Sequence, residues 1–180
     1  MKLLMAIIFA LRAGLLQNPS FEEPADSPEV PAHWNRWGHW LNREPGWDPT
    51  HTGKCMIGYH HWQIESSDNS GLWQEVTNLK AGQRLKFAIF VWFDQTDRPV
   101  QEVELRLEAT RQSRQVTIES AKFTPKNFPS EQWHQLSVTG TTPEDQVRVI
   151  LIVTPAPNTP RGGAVKFDDA TLEIVAPGER

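Results

Sequence analysis

Hydrophobic and polar residues alternate along most of the chain after residue 53, and the clearest stretch is 85–93. One phase of this stretch is apolar and consists of Leu85, Phe87, Ile89, Val91 and Phe93. The other phase consists of Lys86, Ala88, Phe90 and Trp92. Successive side chains of a β-strand point to opposite faces of its sheet. The pattern therefore predicts a half-buried antiparallel strand whose apolar phase faces a core.

The same period of two appears at 102–109 and 147–153, where it predicts two more strands. Turn-forming residues bound further predicted strands at 14–17, 54–64, 72–78, 115–121, 132–139 and 164–175. After position 14, no ten-residue segment has the period of an amphipathic helix. The series of short strands predicts an all-β fold, a two-sheet antiparallel β-sandwich of the jelly-roll kind.

Residues 23–52 break this pattern, because they are irregular and rich in proline and tryptophan. We predict a long loop here, or several short ones, laid over the sandwich. Long ordered loops are uncommon in compact domains and are often functional. This region is therefore a candidate for ligand contact.

The chain opens with an apolar segment, residues 1–13, in which one lysine precedes the run Leu3–Leu11. That run is shorter than the roughly 20 apolar residues that cross a bilayer, so no membrane span is predicted. It resembles the hydrophobic part of a secretory signal peptide, and we therefore expect a secreted, extracellular protein. The other interpretation is a strand or helix that packs on its own domain or on a neighbouring subunit. Residues 14–176 form one predicted sandwich domain, followed by a tail at 177–180.

Composition narrows the class of protein further. The 180 residues include 18 Lys+Arg and 22 Asp+Glu, which gives a formal net charge of -4. This mild acidity, without any run of basic residues, disfavours a nucleic-acid partner. A hydrophobic fraction of 38% and a charged fraction of 22% are typical of a globular domain. The lone cysteine, Cys55, excludes a disulfide framework and a cysteine-based zinc site.

Several short segments, in a fixed order along the chain, carry a family resemblance. They are Leu15-Leu16-Gln17-Asn18-Pro19-Ser20-Phe21-Glu22, His51-Thr52-Gly53-Lys54, Gly71-Leu72-Trp73-Gln74-Glu75-Val76 with Leu79-Lys80-Ala81-Gly82-Gln83, Trp133-His134-Gln135-Leu136, and Val165-Lys166-Phe167-Asp168-Asp169-Ala170-Thr171-Leu172. Together they resemble the jelly-roll carbohydrate-binding modules that accompany xylanases, laminarinases and related enzymes. The resemblance implies a galactose-binding-like β-sandwich whose function is the non-catalytic binding of a polysaccharide or another glycan.

The resemblance also implies a structural calcium that ties the N-terminal strand to the C-terminal one. Carried over by position, its acidic ligands are Glu22 and one or both of Asp168 and Asp169, assisted by main-chain oxygens of the loop that begins at Thr52. Calcium accepts carboxylate and carbonyl oxygens together. The hydrophobic phase changes at 168–170, which predicts a bulge of the kind that re-aims side chains near sites. The other interpretation is that both aspartates are solvated charges at a strand edge.

Aromatic side chains supply the flat apolar surface on which sugar rings stack. Most of the tryptophans lie between 34 and 62, and Phe90 and Trp92 lie opposite the predicted core phase. We expect the outward phase of the next strand to flank these two aromatics with charged groups. The predicted glycan-binding residues are Trp37, Trp40, Trp62, Phe90, Trp92, Glu104 and Arg106. The alternative is that these tryptophans pack in the core or in loops, and that the 23–52 loop covers Phe90 and Trp92.

No nucleophile elbow, phosphate loop, dinucleotide fingerprint or metalloprotease helix motif is present, so we predict that the chain is not an enzyme. The outward glutamates at 102, 104 and 108 are interpreted as a solvated strand face rather than as a glycosidase pair. The alternative function is a secreted structural subunit that self-assembles into a fibre, envelope or virion. Its apolar N-terminal segment would then pack into a neighbouring copy, giving a homo-oligomer or polymer.

Overall fold

The computed structural model describes residues 14–38, 40–60, 68–95, 100–156 and 164–176. The strands of this part of the chain are β1 (Asn35–Trp37), β2 (Leu41–Pro45), β3 (Cys55–His60), β4 (Ser70–Val76), β5 (Arg84–Phe93), β6 (Val100–Arg111), β7 (Arg114–Phe123), β8 (Trp133–Thr141), β9 (Val147–Pro155) and β10 (Ala164–Ile174). The predicted N-terminal segment 1–13, the tail 177–180 and the predicted glycan-binding residue Trp62 lie outside the described residues.

The strands form two antiparallel five-stranded sheets that pack face to face. Sheet I has the order β1-β4-β9-β6-β7, and sheet II has the order β2-β3-β10-β5-β8. The predicted jelly-roll β-sandwich is therefore confirmed. Within the described ranges the helical structure is a single 3-10 turn at Pro125–Asn127, and no helix there has the length and hydrophobicity needed to cross a membrane.

The core lies between the sheets and is built from the predicted apolar phases. In β5 the five inward residues Leu85 to Phe93 are at most 1% exposed, and in β6 Val103, Leu105 and Leu107 are fully buried. The inward phase of β9, from Val147 to Val153, is buried in the same way. The outward phases of these strands are left to form the two outer faces of the sandwich.

Two sequence predictions about the N-terminal third are wrong in detail. The 23–52 region is not loop throughout, because it contributes the edge strand β1 to sheet I and the edge strand β2 to sheet II. Strands of three and five residues are too short to show a period of two between prolines and glycines. The predicted strand at 14–17 is instead a bent segment. It reaches β10 through a long 3.4 Å hydrogen bond from the Leu15 amide to the Leu172 carbonyl.

The phase change predicted in the last strand is a bulge. The pairing of β10 with β5 shifts register between Asp168 and Thr171. Asp169 lies within this bulge and has a left-handed backbone with φ of 46°, a conformation that aspartate tolerates better than most residues. The bulge places Asp168 on the outer face of sheet II and Leu172 in the core.

Candidate functional site

The outer face of sheet I brings two tryptophans and two arginines together. We call this surface the tryptophan face; its residues are Trp37, Gly71, Trp73, Glu75, Glu102, Glu104, Arg106, Glu108, Lys122, Arg148, Ile150 and Ile152. Strand register sets them in rows across the sheet. Trp37, Gly71, Ile152 and Glu104 form one row, and Trp73, Ile150 and Arg106 form the next.

Trp37 lies over Gly71 of the neighbouring strand. A Cβ atom added at Gly71 would come within 1.8 Å of Trp37 Cη2, so only glycine leaves room for the indole at this position. The indole Nε1 donates a hydrogen bond of 3.0 Å to Oδ1 of Asn69. These two contacts fix a half-buried ring against the sheet at the β1 edge.

Trp73 is stacked with Arg148, which is opposite Glu75 on the adjacent strand. The guanidinium carbon of Arg148 lies 4.3 Å from the centroid of the indole ring. Arg148 Nε donates to Glu75 Oε2 at 3.3 Å. The ring and the carboxylate together hold the guanidinium from two sides, a geometry that suits arginine because its planar group both stacks and donates.

Arg106 lies between two carboxylates of its own strand. Its Nε donates to Glu104 Oε1 at 2.7 Å, and its Nη1 donates to Glu108 Oε1 at 3.1 Å. The hydrogen bond to Glu104, followed by the one to Glu108, raises the pKa of Arg106 above its ordinary value. The side chains of Glu104 and Glu108 are 8% and 12% exposed, so the trio is a largely buried, fixed group.

These groups enclose a shallow pocket of about 280 Å³ whose lining includes Ile150 and Ile152. Although they are on the outer face, these isoleucines are only 6% and 5% exposed. Within the described part of the chain, Nη2 of Arg106 and both Nη atoms of Arg148 have no hydrogen-bond partner. The pocket thus combines aromatic rings, an apolar base and several N–H donors that have no partner among the described residues.

The charges of this face nearly balance. Its ion pairs join three cationic side chains, those of Arg106, Lys122 and Arg148, to four glutamates. Their formal sum is 3 − 4 = −1. The free donors are therefore not accompanied by an excess of positive charge.

Phe90 and Trp92 do not join this pocket, which corrects the expectation that they share a face with Glu104 and Arg106. Their strand β5 belongs to sheet II, whereas β6 belongs to sheet I. The chain crosses between sheets after β5, so consecutive strands present their outward phases on opposite sides of the sandwich. Trp37, Glu104 and Arg106 are brought together, while Phe90 and Trp92 lie on the far side.

Residues 46–54 pack on part of the outer face of sheet II. His51 stacks on Phe90 with ring centroids 3.8 Å apart. Lys166, only 4% exposed, donates from Nζ to the Asp48 carbonyl at 2.7 Å and lies 4.7 Å from the Trp47 ring. Burial lowers the pKa of Lys166. The alternative in which the 23–52 loop covers the aromatic ring therefore describes Phe90, on which His51 stacks.

Trp40, another predicted ligand contact, lies between β1 and β2 and packs against the core. Its main-chain amide donates to Ser70 Oγ at 3.4 Å. Trp40 thus contacts the core, and its predicted role in glycan binding stays a prediction.

The three acidic predicted calcium ligands contact the loop at 51–55, which contains the fourth predicted ligand, Thr52. Glu22 Oε1 accepts the amides of Lys54 and Cys55 at 2.8 and 2.9 Å. Asp168 Oδ2 accepts the amides of His51 and Thr52 at 2.9 and 3.1 Å. The Thr52 hydroxyl donates to Asp169 Oδ1 at 2.7 Å, and the His51 ring contacts the other oxygen of Asp169.

Asp168 is fully buried, and burial raises the pKa of its carboxyl to about 6. Among the described residues it has no cationic side-chain partner, a setting that fits a cation. However, no group of three His, Cys, Asp or Glu side chains in that part of the chain is arranged to hold a metal. A calcium here would therefore need main-chain oxygens of the loop in addition to the carboxylates.

The sequence prediction missed Trp73, Arg148 and Asn69. Alternation places Trp73 and Arg148 in the outward phases of β4 and β9, so each was visible as a surface residue. Their proximity depends on β9 lying between β4 and β6, and strand order is not encoded in local periodicity. Asn69 precedes β4 and carries no pattern of its own.

No protein-family model matches the chain, and no curated protein matches it. Solved structures match it in fold. A carbohydrate-binding module, TmCBM61, in complex with β-1,4-galactotriose has a TM-score of 0.62 and 16% identity, covering 90% of this chain and 99% of the module. The CBM22-1 xylan-binding domain from Paenibacillus barcinonensis Xyn10C has a TM-score of 0.57 and 15% identity, covering 92% of this chain and 98% of that domain.

The same fold also occurs in proteins of another kind. A cyclase from Fischerella sp. TAU has a TM-score of 0.62 and 15% identity, covering 87% of this chain and 94% of the cyclase. The chain therefore has the jelly-roll fold of carbohydrate-binding modules, and the role of its tryptophan face must be argued from its own residues.

Replacing Gly71 by alanine tests how the tryptophan face is built. The new methyl group should displace the Trp37 ring, because the two would overlap, and the hydrogen bond from Nε1 to Asn69 should be lost. A ¹H–¹⁵N spectrum, with the indole signal assigned through Trp37→Phe, should show a large shift of the Trp37 resonance. Gly14→Ala is the matched control, since a Cβ there would meet nothing within 4 Å. An unchanged Trp37 signal in Gly71→Ala would contradict the packing.

Proposed function

We propose that this protein is a non-catalytic carbohydrate-binding module and that a polysaccharide chain binds across the tryptophan face. The observation that carries the proposal is the pocket in which Trp37 and Trp73 lie beside arginines whose outer N–H donors have no partner in the described part of the chain. Two of the fold neighbours are carbohydrate-binding modules, which supports the same class of ligand. We further propose that the protein acts outside the cell, where polysaccharides are exposed.

Stacking on the Trp37 ring would supply most of the contact area. One face of a sugar ring presents C–H groups, and a rigid indole covers it at low cost in conformational entropy. Trp37 is held flat by Gly71 and Asn69, so its orientation needs no rearrangement when a ligand arrives. Such preorganisation favours binding because little freedom is lost on association.

The charge balance favours a neutral glycan over an acidic one. Each guanidinium of the face already contacts at least one glutamate, and the ion-paired groups sum to −1. The remaining N–H donors suit hydroxyl oxygens, which accept hydrogen bonds without needing a compensating charge. A polyanion would instead meet the four carboxylates.

The carboxylates of this face are poorly arranged for hydrolysis. Glycosidases hold two carboxyl groups on either side of the bond that breaks. Here Glu104 and Glu108 are on one strand and grip the same Arg106 from both sides. Binding without catalysis is therefore the better account of this face.

We also propose that a calcium ion stabilises the fold at the loop of residues 51–55. Support comes from the convergence of Glu22, Asp168 and Asp169 on that loop, and from the burial of Asp168 without a cationic partner among the described residues. Glu22 and Asp168 would hold the ion together with main-chain oxygens near Thr52. The ion would supply positive charge that offsets the buried carboxylate.

Self-assembly is the second candidate function, and one observation favours it. An apolar pocket of about 510 Å³ lies between residues 14–19 and β10, with Leu15, Leu16 and Leu172 in its lining. Gly14, which follows the apolar segment 1–13, also lines this pocket. The corresponding segment of a neighbouring copy is apolar enough to bury in it.

The choice of ligand face is tested by paired tryptophan variants. Trp37→Ala should weaken binding to insoluble xylan, galactan or cellulose by at least about tenfold, because it removes the stacking ring. Trp92→Ala should leave the affinity close to that of the parent, because Trp92 lies on sheet II, on the opposite side of the sandwich from the tryptophan face. Depletion assays measure both, and melting temperatures confirm that the variants fold.

Loss of binding in Trp92→Ala alone would move the ligand to sheet II. Failure of the parent to bind any of the three polysaccharides would overturn glycan binding itself.

Calcium is tested by thermal unfolding with and without a chelator. Removing an ion present at about 100 times its Kd should lower the melting temperature by about 5–10 °C. Asp168→Asn should abolish this response, whereas Asp26→Asn, at an exposed position, should retain it. A parent protein whose melting temperature ignores the chelator would rule the calcium out.

Assembly is tested by size-exclusion chromatography with light scattering. If the second candidate is right, the full chain should form species much heavier than 20.5 kDa, and deletion of residues 1–13 should return a monomer. A monomeric mass for both chains would refute assembly through this segment.

A further inference from the structure

We propose that Arg148 is the specificity-determining residue of the tryptophan face and that Trp73 acts through it, as a positioning residue. The inference rests on the proposed glycan binding and names the chemistry that is selected, a neutral glycan whose internal units keep two adjacent hydroxyl groups free. Trp37 is then the stacking platform, and the Arg148 fork reads the hydroxyl pair.

The two tryptophans are not equivalent. Trp37 lies over a glycine, and no cation packs on its ring among the described residues. Trp73 has one ring face occupied by the Arg148 guanidinium at 4.3 Å. A sugar that approaches from that side would meet Arg148 before it met the indole. Trp73 therefore contributes to binding by holding the Arg148 side chain in place.

Arg148 has the donors that such a role requires. Glu75 takes only Nε, at 3.3 Å, so the end of the guanidinium formed by Nη1 and Nη2 has no partner within the described residues. The side chain is 28% exposed and lines the same pocket as Trp37. Two parallel N–H groups on a rigid plane match two acceptor oxygens carried by neighbouring atoms.

Arg106 is less suited to the same task. Both Nε and Nη1 are bonded to glutamates on its own strand, which leaves Nη2 as its only nitrogen without a partner in the described part. Because Glu108 already takes one of the two Nη atoms, Arg106 cannot present both of them as an unoccupied end-on fork. We therefore assign to Arg148 the hydrogen bonds to two adjacent hydroxyl groups of the ligand.

This geometry selects among linkages. In a 1,4-linked chain of glucose, xylose or galactose, every internal unit keeps its hydroxyls at positions 2 and 3 free and adjacent. In a 1,3-linked glucose chain, position 3 carries the linkage, so internal units have no adjacent pair. We therefore expect 1,4-linked neutral chains to bind more tightly than 1,3-linked ones.

Calorimetric titrations test this with hexasaccharides of matched length: cellohexaose, xylohexaose, 1,4-linked galactohexaose, laminarihexaose and hexagalacturonate. At least one neutral 1,4-linked hexaose should bind about tenfold more tightly than laminarihexaose. Arg148→Lys keeps the charge but loses the fork, and it should remove this preference. Arg111→Lys is the matched control. Arg111 Nε lies 3.0 Å from Glu144 Oε1, and this ion pair is outside the pocket.

Trp73 is tested through coupling. Trp73→Ala should remove the linkage preference as Arg148→Ala does, and the double variant should be no worse than Arg148→Ala alone. Trp73→Phe keeps a ring under the guanidinium and should restore most of the preference. Additive losses in the double variant would show direct stacking on Trp73 and overturn its positioning role.

The outcomes separate this inference from the proposed function. If Trp37→Ala abolishes binding while Arg148→Lys leaves the linkage preference intact, glycan binding stands and the inference fails. Tighter binding of hexagalacturonate than of every neutral hexaose would also overturn it, since Arg148 would then be reading a carboxylate. If no hexaose binds the parent, both are wrong.

Discussion

The hydrophobic core between the two sheets determines which side chains this protein can offer to a ligand. The inner strands each commit one phase to that core, from Phe87 in β5 to Leu105 in β6 and Leu151 in β9. A register slip of one residue would bury the charged phase, so the outward phases are fixed as firmly as the core itself. The outer faces of the two sheets point in opposite directions. All side chains that contact one ligand must therefore come from the same sheet.

Both outer faces carry cationic side chains beside tryptophans, but the hydrogen-bond donors of these side chains find partners to different extents. On sheet II, Lys166 is nearly fully buried, and its ammonium group donates to a main-chain carbonyl beside Trp47 and Trp92. On sheet I, Arg106 and Arg148 are 29% and 28% exposed and keep N–H groups without partners in the described part of the chain. The first arrangement resembles a protein interior, whereas the second leaves donors available to an incoming molecule.

Local periodicity is sufficient for the long strands, but it does not reveal the short edge strands or the order of the strands in each sheet. The alternation at 85–93 identified β5 and its buried phase, and the phase change at 168–170 identified the bulge of β10. It could not tell that β5 and β6, consecutive in the chain, belong to different sheets. For that reason Trp92 was expected beside Arg106. Likewise, the role of Gly71 depends on β1, an edge strand too short to have a period.

The tryptophan face depends on the N-terminal segment that leads into β1. Asn18 holds this segment, since its side-chain amide donates to the carbonyls of Glu23 and Ala32 at 2.8 and 3.1 Å. The buried Trp34 donates from Nε1 to the Asn18 carbonyl at 3.1 Å. Trp37 follows three residues later, so its place over Gly71 is set by this anchored loop rather than by β1 alone.

The same segment contains Glu22, whose carboxylate binds the amides of Lys54 and Cys55. Arg43 reinforces the tie by donating from Nη2 to the Glu22 carbonyl at 2.6 Å. Contacts at the loop of residues 51–55 on sheet II are thereby linked along the chain to the aromatic platform on sheet I. A loss of order around Glu22 would loosen the approach to β1, so the stability of one face and the geometry of the other are not independent.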